Sequence, residues 1–244
     1  MQNYSLLVHE KPKSPISEAY RVLRTNIQFS SVDKPLKVIA ITSSGPNEGK
    51  STTISNLAIT FAQSGSKVLI VDADLRKPTI HKLYDFRNQL GLVNILAKKE
   101  ALGICIHDTL VDNLYVLTSG PIPPNPSELL QSESMKKFLD EVTEIFDIVL
   151  IDTPPVGSVT DAAILSSMVD GIILVAASGQ VKIDEIKRSK ELLEKVNANI
   201  IGVVLNKLDK NAQGNYYYYY YYYYGETDDP KMNKKRKKKL RKED

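Results

Sequence analysis

A short glycine-containing segment, residues 44–52, follows an apolar run and precedes a stretch with helical periodicity. In that context backbone N–H groups surround phosphate oxygens, and the N-terminus of the following helix favours negative charge. Lys50 would bridge the β- and γ-phosphates, and the Ser51 hydroxyl would coordinate Mg²⁺. Ser44 replaces the usual leading glycine of such loops. The predicted nucleotide-binding residues are Gly45, Pro46, Asn47, Glu48, Gly49, Lys50, Ser51 and Thr52.

Three aspartates follow apolar runs that are typical of buried strands. Asp72 and Asp74 come after residues 68–71, and Asp152 comes after 148–151. Mg²⁺ and its waters need hard oxygen ligands beside a phosphate loop, so a metal-binding or catalytic role is predicted for all three. The alternative for any single aspartate is a helix cap or turn residue, and we favour that alternative for Asp161, which opens a predicted helix.

Nine consecutive tyrosines lie near the end of the chain. Turn-forming residues flank them at 211–215 and 225–230, which favours a solvated, disordered tail over a buried strand. Low-complexity drift and an aggregation-prone edge are the alternatives. A phosphate donor site and phenol acceptors in one chain indicate a kinase that phosphorylates its own tail. The predicted acceptors are Tyr216, Tyr217, Tyr218, Tyr219, Tyr220, Tyr221, Tyr222, Tyr223 and Tyr224.

The elements that must position these residues are short β-branched runs alternating with helical periods. That pattern predicts an α/β, P-loop NTPase-like fold, with a mostly parallel sheet and helices on both faces. Ligands of such sheets lie at the carboxyl ends of the strands, where all the motifs fall. Residues 120–126 hold four prolines and predict a non-helical surface loop. The strands are predicted at 37–42, 67–72, 114–118, 148–152, 171–176 and 200–205, and the helices at about 50–64, 134–146, 159–168 and 182–196.

The composition fits one domain with tails. The chain has 244 residues, 42% of them apolar, and one cysteine, which excludes an internal disulfide framework and suits a reducing cytosol. No apolar stretch approaches the ~20 residues of a membrane span, and no signal peptide is recognised. The predicted parts are an N-terminal arm at 1–13, an ATP-binding kinase domain at 14–209, a tyrosine tail at 210–225 and a basic tail at 226–244. The kinase domain includes an oligomerisation helix at 14–30.

The charge is distributed unevenly. Residues 231–244 hold nine Lys or Arg against two acids, so the net charge of +3 leaves about −4 on residues 1–230. The basic run at 234–239 could contact nucleic acid, anionic lipid or an acidic partner, or it could only solubilise the chain. No nucleic-acid partner is expected.

A further helix is predicted to begin at Ser14, a capping residue that precedes a proline. Its polar face carries Glu18, Arg21 and Arg24, which fall within about 120° of arc at ~100° per residue. Its apolar stripe is formed by Ile16, Tyr20, Leu23 and Ile27. From the residues alone, a solvated face with an ion pair is favoured over a subunit contact.

These motifs together resemble the bacterial tyrosine kinase family (BY-kinases), in the form of a cytoplasmic kinase separate from its membrane activator. The phosphate loop matches, as do residues 71–78, which are similar to a second Walker-type segment, and 152–155, which are similar to a Walker B segment. Residues 18–24 resemble the Glu-x-x-Arg-x-x-Arg oligomerisation motif of the family, and the tyrosine cluster matches the tails of its members. The resemblance covers about residues 14–225. The unbroken tyrosine run and the basic end depart from the family pattern.

The resemblance implies an ATP- and Mg²⁺-dependent protein-tyrosine kinase that serves capsular or exopolysaccharide synthesis and export. Asp74 would orient or deprotonate the acceptor phenol, and Ser51, Asp72 and Asp152 would hold Mg²⁺. The family also implies a homo-oligomeric ring through the oligomerisation motif, protein-tyrosine substrates and a cognate phosphatase. A transmembrane activator would recruit the cytoplasmic chain to the inner face of the membrane.

Related nucleotide-binding proteins supply the competing interpretations. Partitioning ATPases share the fold, but they carry a lysine at the place of Gly45 and have no tyrosine tail. Residues 206–209 match the guanine-reading Asn-Lys-x-Asp pattern of GTPases, whereas 152–155 lack the glycine of Asp-x-x-Gly. ATP is therefore favoured, with Asn206 as an adenine contact. A regulatory nucleotide switch without kinase activity is the non-enzymatic alternative.

Overall fold

A computed structural model describes residues 6–31 and 35–208 of the chain. The chain divides into two units at Leu208, and all the described residues belong to the first. The predicted tyrosine acceptors, the basic tail and Asp209 lie outside the described residues.

Seven strands form one sheet in the order β3-β4-β2-β5-β1-β6-β7. All neighbouring pairs are parallel except β3 with β4. The six predicted strands are confirmed to within one residue at each end. Sequence analysis missed β3, because a three-residue edge strand carries too few residues to show alternation. The strands are β1 (Val38–Ser43), β2 (Val68–Asp72), β3 (Ile106–Asp108), β4 (Leu114–Leu117), β5 (Ile148–Asp152), β6 (Gly171–Ala177) and β7 (Ile200–Asn206).

Ten helices accompany the sheet in the part of the chain that is described. All five longer predicted helices are present, and Gly65, at φ +94°, follows the end of the first as expected. The helices are α1 (Leu7–Glu10), α2 (Pro15–Phe29), α3 (Lys50–Gln63), α4 (Ile80–Leu83), α5 (Leu92–Leu96), α6 (Leu102–Cys105), α7 (Pro126–Leu130), α8 (Glu133–Ile145), α9 (Asp161–Ser166) and α10 (Ile183–Glu194).

The central strands are apolar along their whole length because both faces of the sheet are covered. On one face, Leu69 and Val71 of β2 belong to a core that includes residues of α8, α9 and α10. On the other face, Val68 and Ile70 belong to a core built with α3. This sandwich fixes the strand ends, and therefore the motifs that follow them.

The loop prediction for residues 120–126 is wrong at its last residue. Pro126 is the first residue of α7. Proline suits that position because a helix has no partner for its first backbone N–H and because the ring presets φ.

The predicted cap of α2 is confirmed, because the Ser14 side chain accepts a hydrogen bond from the Ser17 backbone N–H at 3.2 Å. Ile16, however, is 40% exposed and does not belong to the buried stripe. The buried position is Ser17, whose hydroxyl donates to the Lys11 carbonyl at 2.7 Å. Before α2, residues 7–10 of the predicted arm form α1, where Val8 is fully buried.

Among residues 6–31 and 35–208, no helix combines the length and the apolar character that crossing a bilayer requires.

Candidate active site

The predicted phosphate loop connects β1 to α3 at the carboxyl edge of the sheet. Gly49 is the N-cap of α3, with φ +96°. A Cβ at that position would overlap the side-chain nitrogen of Asn206 on β7, in addition to the backbone strain of positive φ. Glycine is therefore favoured there both by the backbone conformation and by the close approach of the Asn206 side chain.

The carboxylate of Glu48 links this loop to the end of β6 by hydrogen bonds. One oxygen accepts the Gly45 N–H at 2.5 Å, and the other accepts the Ala177 N–H at the end of β6 at 3.0 Å. The side chain is buried. Glu48 was predicted as a nucleotide-binding residue; its side chain is engaged by protein backbone, so any nucleotide contact would come from its main chain.

Two side chains at the end of β7 donate hydrogen bonds to carbonyl groups of the loop. Asn206 Nδ2 donates to the Glu48 carbonyl at 2.9 Å, and Lys207 Nζ donates to the Asn47 carbonyl at 2.6 Å. Lys207 was not singled out from the sequence, although it is the second residue of the Asn-Lys-x-Asp pattern. An adenine contact by Asn206 stays a prediction.

Asp72 and Asp152 end two neighbouring parallel strands as register partners, and both are fully buried. The Asp72 Oδ2 atom accepts backbone N–H groups of Thr79 and Ile80 at 3.1 and 3.0 Å. Its Oδ1 atom accepts the Asp74 N–H at 3.3 Å. Burial, followed by the negative charge of Asp152, raises the pKa of Asp72 well above its usual value despite these bonds.

A chain of hydroxyl groups ends on Asp152. Thr79 Oγ1 donates to Ser51 Oγ at 2.7 Å, and Ser51 Oγ donates to Asp152 Oδ2 at 2.5 Å. Burial raises the pKa of Asp152 to about 6, against the opposing effects of the Lys50 charge and the Ser51 hydrogen bond. Sequence analysis missed Thr79; its position between a proline and a short helix was the only signal.

The residues at this edge fit a magnesium ion that is shared with a nucleotide. Asp152 Oδ1 is buried and has no hydrogen-bond partner among the described residues. Within those residues, no three His, Cys, Asp or Glu side chains cluster as metal ligands. Mg²⁺ at nucleotide sites is commonly held by one or two carboxylates together with phosphate oxygens, which matches Asp72, Asp152 and the Ser51 hydroxyl.

Asp74 lies two residues beyond the end of β2 and is largely buried. Its Oδ1 atom accepts the Lys77 N–H at 3.0 Å. Burial raises its pKa, while that hydrogen bond and then the positive charge of Lys50 act in the opposite direction. A buried carboxylate with raised proton affinity, close to the lysine of the loop, is suited to accept a proton from a phenol.

Arg76 and Asp161 form an ion pair that the sequence did not predict. Arg76 Nε donates to Asp161 Oδ2 at 2.8 Å, and Nη2 donates to Oδ1 at 3.0 Å. Asp161 is the first residue of α9, and Thr160 is the N-cap. The capping role favoured for Asp161 is therefore wrong, because Thr160 occupies the cap position and the buried Asp161 carboxylate pairs with the Arg76 guanidinium instead.

The structure brings Lys50, Ser51, Asp72, Asp74 and Asp152 to one edge of the sheet. The predicted oligomer residues lie elsewhere, on α2. Arg21 Nη1 donates to Glu18 at 2.8 Å, and Arg24 Nη1 donates to the Thr60 carbonyl of α3 at 2.7 Å. Arg24 is thus engaged within its own chain, because position 24 falls at the boundary of the α2 face that packs on α3.

Comparisons with known proteins agree with this arrangement. The ParA family model, described as NUBPL iron-transfer P-loop NTPase, matches residues 35–227. Tyrosine-protein kinase YwqD of Bacillus subtilis (strain 168) is 45% identical over 87% of this chain and 90% of its own. Putative tyrosine-protein kinase CapB of Staphylococcus aureus is 44% identical over 86% and 93%. The kinase domain of Escherichia coli tyrosine kinase ETK superposes with a TM-score of 0.82 and 36% identity, covering 88% of this chain and 85% of that domain.

Proposed function

Because this chain belongs to the bacterial tyrosine kinases, a branch of the P-loop NTPase family, we propose that it uses Mg-ATP to phosphorylate Tyr216–Tyr224 of neighbouring copies. The observation that supports the proposal most strongly is the cluster at the carboxyl edge of β2 and β5. There a phosphate loop, two buried carboxylates in register and a third carboxylate at Asp74 converge.

Each residue of the cluster has a task in the transfer. The acceptor phenol oxygen attacks the γ-phosphorus, a new O–P bond forms, and the bond to the β–γ bridging oxygen breaks as ADP leaves. The phenolic proton passes to Asp74, since free tyrosine with a pKa near ~10 is almost wholly neutral at pH 7. Lys50 stabilises the charge on the phosphates. Ser51, Asp72 and Asp152 would hold Mg²⁺, which would supply further neutralisation of the phosphate charge.

ATP rather than GTP is proposed as the donor. In GTPases the backbone N–H of the glycine in Asp-x-x-Gly contacts the γ-phosphate. The equivalent position here is Pro155, which has no N–H. The residues between are tied to β1, where Thr153 N–H donates to the Ile41 carbonyl at 3.1 Å.

We further propose that copies of the chain assemble through α2. In addition to Glu18 and Arg21, this helix exposes apolar side chains, which are Ile16, Val22 and Phe29. Exposed apolar residues grouped on one helix are typical of an interface. From the family alone, we also propose that a transmembrane activator recruits the chain to the membrane and that a cognate phosphatase dephosphorylates it. Its activity would then control capsular or exopolysaccharide synthesis and export.

Transfer between copies is tested with two full-length variants. The acceptor carries Lys50→Met and an intact tail, and the donor is active but has phenylalanine at Tyr216–Tyr224. With labelled Mg-ATP, the acceptor gains label only in the mixture. An unlabelled acceptor in a mixture that co-assembles would contradict transfer between copies.

A further inference from the structure

Arg76 is fixed by three hydrogen bonds at the edge of the proposed active site. Two go to the Asp161 carboxylate, at 2.8 and 3.0 Å, and one goes from Nη2 to the Ser127 hydroxyl at 2.9 Å. The Ser127 hydroxyl in turn donates to Asp161 Oδ1 at 3.0 Å. The three residues form a closed polar ring that joins α7 and α9 to the segment that follows β2.

The side chains of the ring differ in their exposure to solvent. Asp161 is fully buried, whereas the Arg76 side chain is 38% exposed. A buried carboxylate is costly unless it is paired, so Asp161 holds the guanidinium in one orientation. The bidentate geometry requires the planar fork of arginine and cannot be reproduced by lysine.

The orientation leaves one edge of the guanidinium open. Nε and Nη2 make the bonds to the ring, and no described residue accepts a hydrogen bond from Nη1. Asp74, two residues earlier, is close enough for its negative charge to contribute to the raised pKa of Arg76, after the larger effect of the Asp161 hydrogen bond. Asp74 Oδ1 accepts the Lys77 N–H at 3.0 Å, so the carboxylate that is proposed to take the phenolic proton lies against the same short backbone segment that carries Arg76.

The surroundings of Ser127 suit an approaching peptide. It is the second residue of α7, directly after the proline-rich segment 120–125. Ile122 of that segment is 66% exposed. The proline-rich segment supplies apolar contact and the oriented cation supplies a polar anchor, and a tyrosine side chain can use both.

We propose that Arg76 binds the acceptor tyrosine beside Asp74, with Asp161 and Ser127 as positioning residues that aim its guanidinium; this rests on the proposed function. A guanidinium stacks on aromatic rings and donates hydrogen bonds to a phenolic oxygen or to the transferred phosphoryl group. Because the proposed acceptor is a run of tyrosines, the same contact serves each ring of the run.

The alternative is that the ring only ties α7 and α9 to the sheet. Kinetic constants separate the two roles. If the ring only holds the helices in place, its loss should change the melting temperature and both KM values, for ATP and for the acceptor chain. If Arg76 contacts the acceptor, its loss should change the KM for the acceptor chain alone.

The experiment measures initial rates of transfer to the full-length Lys50→Met chain over a range of its concentrations. The donor has phenylalanine at Tyr216–Tyr224 and carries Ser127→Ala, Arg76→Lys or neither change. Lys82→Arg, on the exposed side of α4, is the control for the exchange of one cation for another. Thermal melting and the KM for ATP are measured for each donor.

Ser127→Ala is expected to raise the KM for the acceptor about 3- to 10-fold, as for one lost hydrogen bond. Arg76→Lys should raise it further, with melting temperature and KM for ATP unchanged in Ser127→Ala and in Lys82→Arg. An unchanged acceptor KM in Arg76→Lys, or parallel shifts of both KM values, overturns the inference alone. If the parent donor also fails to label the acceptor, the proposed function fails and the inference falls with it.

Discussion

Asp72 and Asp152 are register partners at the ends of β2 and β5, with both carboxylates fully buried side by side. Burial raises the pKa of each, and the charge of Asp152 adds to the shift at Asp72. Two buried carboxylates at one edge lower the stability of the fold until a cation joins them. This edge of the sheet is therefore arranged for cation binding at the expense of stability.

Asp152→Asn should stabilise the metal-free protein at high pH. The folded-state pKa of Asp152 is raised from 3.8 to about 6, so the folded protein must ionise a buried carboxyl at neutral pH. The free energy of unfolding therefore falls as the pH rises from about 4 through 6. The asparagine variant does not ionise. Its free energy of unfolding in the presence of a chelator should exceed that of the parent by about 1–3 kcal/mol at pH 8, with the difference disappearing near pH 4. Denaturant unfolding at the two pH values measures this.

Asp72→Asn is the matched comparison and should lower the free energy of unfolding at pH 4, where the Asp72 carboxyl is protonated and Asp152→Asn has no effect. The carboxylate of Asp72 accepts three backbone N–H groups across its two oxygens. An amide nitrogen cannot accept, so at least one buried N–H loses its partner at a cost of about 1–3 kcal/mol. Equal free energies of unfolding for the two asparagine variants would show that the backbone hydrogen bonds to Asp72 do not contribute to stability.

Glu48→Gln should weaken nucleotide binding while the fold persists. The carboxylate accepts N–H groups from Gly45 and Ala177, and the glutamine amide can accept only one of them. The loop then loses one of its supports, and the Kd for ATP should rise about tenfold. Titration with a fluorescent ATP analogue measures the change. Glu133→Gln, an exposed acid on α8, is the control, and an unchanged Kd in Glu48→Gln would mean that this link does not shape the loop.

The strands and the carboxylates at their ends were predictable because buried apolar runs are local in sequence. Asp72 and Asp152 follow such runs directly, and their strands were placed to within one residue. The Arg76–Asp161 pair joins residues 85 positions apart, and no local pattern indicates it. The helical period of α2 was correct, but it could not show that Ser17 rather than Ile16 faces α1, because that depends on how a preceding helix packs.

Two positions in the C-terminal half of α2, Phe29 and Arg24, should respond differently to substitution. Phe29 is 75% exposed, so Phe29→Ser should reduce the oligomer mass without lowering the melting temperature. Arg24→Ala removes the donor to the Thr60 carbonyl and should lower the free energy of unfolding by about 1–2 kcal/mol. Light scattering and thermal melts measure both quantities. An oligomer that persists in Phe29→Ser at matched concentration would contradict assembly through the exposed side of α2.

The central claim is that this phosphate loop delivers phosphate from ATP to the tyrosines at 216–224. Intact-protein mass spectrometry after incubation with Mg-ATP, followed by peptide mapping, tests donor and acceptor together. Mass increments of whole phosphates are expected at Tyr216–Tyr224 and nowhere else, with none in Lys50→Met alone. An unchanged mass for the parent chain in the presence of its activator, or phosphorylation that persists in isolated Lys50→Met, would contradict it.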